Sequence, residues 1–389
     1  MSQMEVHGAH KFEELDMHAE AWDRLSSVAP QRSPVLSHAW VRSYLEHLLK
    51  PGLKWFCLFA YEDQELVGVL PVIFHPKQSA LYGGKRYHAP SDQDVWTGDM
   101  LVANGRELET ATALFDGFAR REPAHAVLRL GKLPPESPSF RVMQDGFGGC
   151  RILKEPNGYG SFLNINGSHK AYLASLSSNF RSNLKKAGKR LNRLGRNDVV
   201  FLRNEDITEE HIQQFFDLEA SGWKGRSGSA ILSSKRHTGF FTSLIRRLRA
   251  RGMLECHFLK VDGKLIAGHL AVRTQSKLML WKIAYDEEHA RYAPGNMLLE
   301  RLMHKVHEEG VTDEIDLITD HPWHSNWGAQ KRPYQDLIIS APRLVPYLGN
   351  LASLKANVSL RQLRERVKKS PKLSAVAYRV RDLVRGAGS

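Results

Sequence analysis

Residues 254–267 read LECHFLKVDGKLIA, and residues 55–68 read WFCLFAYEDQELVG. Each is an apolar run, a polar break and a second apolar run, the pattern of two strands joined by a tight turn. In the later segment the break is Asp262-Gly263, a pair that tolerates the positive φ angles of a two-residue hairpin. An offset of 199 residues aligns Cys57 with Cys256, Phe59 with Phe258, Asp63 with Asp262 and Leu66 with Leu265.

The correspondence extends outward. Each hairpin is followed by a strand candidate, a helix and an apolar strand: Ala80–Tyr82, Glu107–Arg121 and Ala126–Leu130 first, then Lys277–Tyr285, Gly295–Glu309 and Glu314–Ile318. A period this long means duplicated domains, not a solenoid. Pro134 to Pro138 reads as a loop, and Asn157-Gly158 lies in the link between the halves. The expected fold is α/β (α+β), with two tandem domains over residues 1–155 and 156–340, each a mixed, mainly antiparallel sheet flanked by helices. A basic helical tail follows over 341–389.

Apolar spacing of three and four marks the helices. Leu176, Phe180, Leu184, Ala187, Leu191 and Leu194 form one stripe, opposite Arg181, Lys185, Lys186, Lys189, Arg190 and Arg193. Phe240, Phe241, Leu244, Ile245 and Leu248 form a second, and Leu298, Leu299, Leu302, Met303 and Val306 a third.

Composition narrows the class. The 389 residues hold 25% charged and 42% hydrophobic side chains, an ordinary globular balance. The longest apolar run, Leu66 to Phe74, contains a proline and reads as a buried strand rather than a bilayer span of about 20 residues. No basic segment precedes an apolar one at the N-terminus, so no secretory signal is expected. Three scattered cysteines, Cys57, Cys150 and Cys256, fit neither a disulfide framework nor a zinc site and point to the cytoplasm. Of the net charge of +13, residues 341–389 carry 11 Lys/Arg against 2 Asp/Glu, or +9. Leu360, Leu363 and Val367, then Val376, Val380, Leu383 and Val384, give that tail two amphipathic stripes suited to peripheral contact with an anionic membrane.

The chemistry is concentrated in the second half. Tyr285 closes a strand and Gly295 opens a helix, with the loop Asp286 to Pro294 between them. Free N–H groups at a helix start, aided by the helix dipole, hold anions. A glycine there lets a phosphate approach the backbone. The competing reading is an ordinary strand–loop–helix connection with a Pro-Gly turn.

Three segments carry a resemblance: NFRSNLKKAGKRLNRLG (179–195), LEASGWKGRSGSAI (218–231) and WKIAYDEEHARYAPGNMLLERL (281–302). In order and spacing they resemble the CelD-like family of GNAT-type (N-acetyltransferase-like) bacterial acyltransferases, associated with exopolysaccharide synthesis. The resemblance covers about residues 160–340. It implies an acyl-CoA donor such as acetyl-CoA, no metal, and a small-molecule or saccharide acceptor. The family pattern Gln/Arg-x-x-Gly-x-Gly/Ala falls on Tyr292, Gly295 and Met297, keeping only the glycine. Arg291 sits one place early. With Asn296, these residues form the expected cofactor-binding set.

Acyl transfer to an amine needs a proton acceptor and N–H donors for the developing oxyanion. Candidate bases are Glu219, Asp286, Asp316, Asp320 and His321. Glu219, Asp316 and Tyr285 are assigned to catalysis, and Trp223, Lys224, Asp320 and His324 to substrate binding. The bland reading of Trp223-Lys224 is a helix end with a buried indole and a solvated ammonium. His324 stands where family members have a lysine, and binds an anion only when protonated. The same double layout serves FemABX-type transferases that draw on aminoacyl-tRNA. No heptad run long enough for their coiled-coil arm is present, so nucleic acid is not the expected partner. A non-catalytic accessory of a polysaccharide synthase is the third reading.

Overall fold

A computed structural model describes residues 4–76, 84–143, 147, 149–352 and 355. The predicted strand Ala80–Tyr82 and both stripes of the tail lie outside these residues. The strands are β1 (Glu5–Ala9), β2 (Lys54–Glu62), β3 (Glu65–Phe74), β4 (Lys85–His88), β5 (Leu101–Val102), β6 (His125–Leu133), β7 (Arg151–Asn164), β8 (Asn197–Arg203), β9 (Leu254–Val261), β10 (Lys264–Thr274), β11 (Lys277–Tyr285), β12 (Glu314–Asp316) and β13 (Gln330–Ser340). All thirteen join one sheet in the order β1-β2-β3-β4-β6-β13-β7-β12-β11-β10-β9-β8, with β5 on β3.

The two predicted hairpins turn alike. Asp63-Gln64 and Asp262-Gly263 have φ of 48°, 67°, 48° and 82°. Two successive positive φ angles match the right-handed twist of the flanking strands. Around these turns the halves repeat each other. In each, three antiparallel pairings lead to a parallel one, β4 with β6 and β11 with β12. The crossover of each parallel pair carries a helix, Glu107–Arg121 or Pro294–Glu309.

The centre of the sheet is exchanged between halves. β7 pairs with β12, while β13 returns to lie between β6 and β7. Asn157-Gly158 is therefore inside a strand rather than in a loop, and Asn157 donates to Asp336 of β13 at 2.8 Å. The expected division at residue 155 falls within β7. Pro138 does not close a loop but opens a short helix, Pro138–Val142.

Three apolar clusters hold the layers. One lies under the helix Glu107–Arg121 and another under the helices Ser178–Asn192 and Pro294–Glu309. The third, on the opposite face, is shared: Trp22, Trp40 and Phe59 pack with Phe215, Phe240 and Trp281. Trp40 lies 4.9 Å from Trp281, and the helices His38–His47 and Lys235–Ala250 pack together beside them. Aromatic pairs of this kind contribute about 0.5–1.5 kcal/mol beyond area burial. A cleft that spans both halves thus has a rigid floor. Among the described residues no helix is long and apolar enough to cross a membrane.

Candidate active site

β11 has one complete neighbour and one partial one. It pairs with β10 up to Tyr285, but with β12 only at Lys277, Leu278 and Met279. From Leu280 onward its edge facing β12 is open. β12 is turned away by Ile318, whose φ of 66° is an outlier for a β-branched residue. Asp316 fixes that turn by accepting the Ile318 N–H at 2.7 Å. Gly160 makes room for it, since an added Cβ would lie 2.9 Å from the Ile318 carbonyl. β11 is bulged at Trp281, because Leu270 faces Lys282 while Ala271 faces Leu280.

The gap opens into a cleft of about 500 Å³. Its walls include Glu219, Lys224, Ile283, Tyr285, Ile318 and His324, with Gln93 and Trp96 from the first half. Glu219 lies in the last turn of the helix Glu209–Ser221 and is 3% exposed. Its Oε1 accepts from Lys224 Nζ at 3.1 Å and its Oε2 from the Ile231 N–H at 2.8 Å. Lys224 Nζ also donates to the Ile283 carbonyl at 3.2 Å. That carbonyl therefore faces the gap. A strand residue's N–H shares the edge of its carbonyl, so the Ile283 N–H is directed there too.

Lys224 sits on the turn Trp223–Arg226, which doubles back on the preceding helix. Gly225 permits this, for a Cβ there would meet the Ala220 carbonyl at 1.8 Å. The turn is clipped by Glu287, which accepts the Trp223 N–H at 2.8 Å and pairs with Arg226 at 2.5 Å. Both residues line the cleft, and the bland reading of a buried indole beside a solvated ammonium is corrected. The indole is the exposed member, at 57%, and the ammonium is the half-buried one at the gap. Burial lowers the Lys224 pKa, Glu219 pulls it back up, and Lys282 adds repulsion.

The remaining candidates divide. Asp316 lies outside the cleft lining, in a buried cluster with Lys277 at 2.7 Å and Arg332 at 3.7 Å. Burial opposes its ionisation, but Lys277 and Arg332 outweigh it and hold the carboxyl below its ordinary value. Held by two cations and outside the cleft lining, this carboxylate shapes β12 and has no reach to a substrate in the cleft. Asp320 is exposed and bound to Lys331 at 2.7 Å. Asp286 serves its own loop, binding the Glu288 N–H, His289 and Lys264.

His324 lines the cleft as a neutral ring. Burial and neighbouring His321 lower its pKa to about 4, and Nδ1 accepts the His321 N–H at 3.3 Å. At neutral pH it is not the cation that would replace a lysine. The unfolded chain takes up this proton first, so the stabilisation is present above pH 6.5 and is lost as pH falls toward about 4. Thermal melts over that range should show a shallower loss in His324→Asn, whose Oδ1 replaces the Nδ1 acceptor. Parallel curves would exclude His324 as a source of acid lability.

The loop after Tyr285 forms the turn Glu287–Tyr292, then Ala293 at φ 50°, then the helix Pro294–Glu309. Met297 N–H bonds the Ala293 carbonyl, Pro294 has no N–H, and no side chain caps the helix. The amides of Gly295 and Asn296 have no acceptor among the described residues. A Cβ at Gly295 would meet only the Tyr285 ring, at 3.9 Å. The other predicted cofactor residues are more structural. Met297 is core, Asn296 Oδ1 accepts from the Trp327 indole at 3.2 Å, and Arg291 lies over the Tyr292 ring.

These features have parallels. Residues 178–329 match the family described as acetyltransferase (GNAT) domain. That match lies within the second half and spans its sheet from β8 to β12. Comparison with curated proteins finds no match. Among solved structures, the chain is similar to FemX, with a TM-score of 0.59 and 13% identity over 89% of this chain and 99% of that one. It is also similar to a conserved protein of unknown function from Bacteroides thetaiotaomicron VPI-5482, with a TM-score of 0.51 and 12% identity over 88% and 100% of the two chains. A third is the C-terminal domain (DUF2156) of a protein described as a lysylphosphatidylglycerol synthetase from Agrobacterium fabrum, with a TM-score of 0.51 and 10% identity over 83% and 92%. At such identities the likeness is one of fold, and it extends over both halves of the chain. Among the described residues no three His, Cys, Asp or Glu side chains could hold a metal ion.

Proposed function

We propose that the second half, as a GNAT domain, transfers an acetyl or longer acyl group from acyl-CoA to an amine or hydroxyl in the cleft. One observation carries the reading. Gly295, whose amide like that of Asn296 has no acceptor among the described residues, stands beside the ring of Tyr285, the last residue on the open edge of β11. An anion cradle beside an unpaired strand edge suits a donor with a phosphate handle and an extended acyl arm. In this reading the thioester oxygen takes the Ile283 N–H as charge develops. Glu219 is the proton acceptor, paired with Lys224 at the gap. Trp96, Trp223 and Trp323 give the cleft aromatic faces suited to a small-molecule or saccharide acceptor. A role in exopolysaccharide synthesis would follow from such an acceptor.

The basic helix favours a second reading, transfer from aminoacyl-tRNA. The helix Ser178–Asn192 packs against the turn Glu287–Tyr292, and its exposed Lys185, Lys186, Lys189 and Arg190 make no ion pair among the described residues. Such a stripe beside the cradle suits a phosphate backbone. FemX and the lysylphosphatidylglycerol synthetase domain share the fold that frames it. Titration calorimetry with CoA separates the two. Saturable one-to-one binding, with transfer insensitive to ribonuclease, is the expected result; no CoA binding and ribonuclease-sensitive transfer would replace it with the second reading.

A further inference from the structure

We propose that Lys224 is itself an acyl acceptor, a self-modification site inside the cleft, resting on the reading of the gap as the acyl site. Its amine already meets the two requirements of a substrate amine. It lies 3.1 Å from a buried carboxylate that can take its proton, and 3.2 Å from the Ile283 carbonyl on the open edge of β11. No other lysine of the cleft is so placed. Lys282 Nζ is 3.6 Å from Asp94 and covers the Phe241 ring, on the side of the first half. The lysines of the helix Ser178–Asn192 are exposed and make no ion pair among the described residues.

The step balances without another reactant. Lys224 passes one proton to Glu219, and the freed lone pair of Nζ attacks the acyl carbonyl. The C–N bond forms, the C–S bond breaks, and the leaving thiolate takes the second amine proton. The products are an amide at Lys224, a free thiol and a protonated Glu219 that returns its proton to water. Acylation discharges the ammonium that pairs with Glu219 and leaves an amide across the gap. The modified cleft would be closed to a substrate amine. Self-acylation is then a brake that engages when donor is present and acceptor is not.

The test uses the full-length protein with two probes, acetyl-CoA and p-nitrophenyl acetate, followed by peptide mass mapping, with CoA binding measured in parallel. The expected result is one acetyl group at Lys224 from either probe. It should form at least about tenfold faster than at Lys185, as its placement beside a base requires. It should be slowed in Glu219→Gln. Lys224→Arg should lose the adduct while melting as wild type. If CoA binds and neither probe labels Lys224 preferentially, the proposal is overturned and the donor reading stands. If the ester labels Lys224 but CoA does not bind, the nucleophile stands and the donor reading falls. If neither binding nor labelling occurs, both fall.

Discussion

Glu219→Ala should lower transfer by at least about 10²-fold and destabilise the fold by about 3–5 kcal/mol. The reason is electrostatic. Glu219 and Lys224 leave water together, with side-chain exposures of 2% and 23%, and the second carboxylate oxygen binds a backbone N–H. Removing the carboxylate strands a half-buried ammonium and an amide donor. Activity and stability would then fall together, which a purely structural role also explains. The double variant Glu219→Gln with Lys224→Met separates them. It removes both charges and keeps the acceptor for Ile231, so urea unfolding should return close to wild type. Single-turnover transfer should not recover. Recovery of both would make the pair a packing device, and the base would have to be sought elsewhere.

Gly295→Trp should reduce CoA affinity by at least about 10²-fold while stability changes by no more than about 1 kcal/mol. The space at Gly295 is open, with only the Tyr285 ring within contact distance of a new Cβ. Protein packing therefore does not demand glycine here. An indole at this position covers the free amides of Gly295 and Asn296 without entering the core. Calorimetry beside a denaturation curve reads both quantities. Ordinary CoA binding by a folded Gly295→Trp protein would move the donor site away from this helix.

The duplicated architecture was legible because hairpin turns and apolar runs are local. Asp262-Gly263 announces its turn, and the matched spacing around Asp63 announces its copy. The helices Glu107–Arg121 and Pro294–Glu309 were equally readable, since their apolar stripes have the helical period. The strand exchange was not. Pairing of β13 with β6 joins residues about two hundred apart, and no local pattern selects that partner over another. Asn157-Gly158 looked like a link for the same reason: a bulged strand beside β13 uses the residues of a turn.

The cleft was half legible. Glu219, Lys224 and Tyr285 stand in segments with distinctive composition, and the fold brings them together. Gln93 and Trp96 come from the other half, and only the tertiary fold delivers them. Asp316 is a candidate base in the sequence as an acidic residue on a strand of the family-like region. The cations that neutralise it, Lys277 and Arg332, come from β11 and β13 and cannot be inferred from its own neighbours. His324 looked like a substitute cation because sequence does not reveal burial.

The most direct measurement is a crystal structure with a non-reactive thioether analogue of acetyl-CoA. The predicted density places the pyrophosphate on the amides of Gly295 and Asn296, with the sulfur between β11 and β12 near Ile283. A ligand bound elsewhere, with those amides still facing solvent and the gap unfilled, would contradict the account.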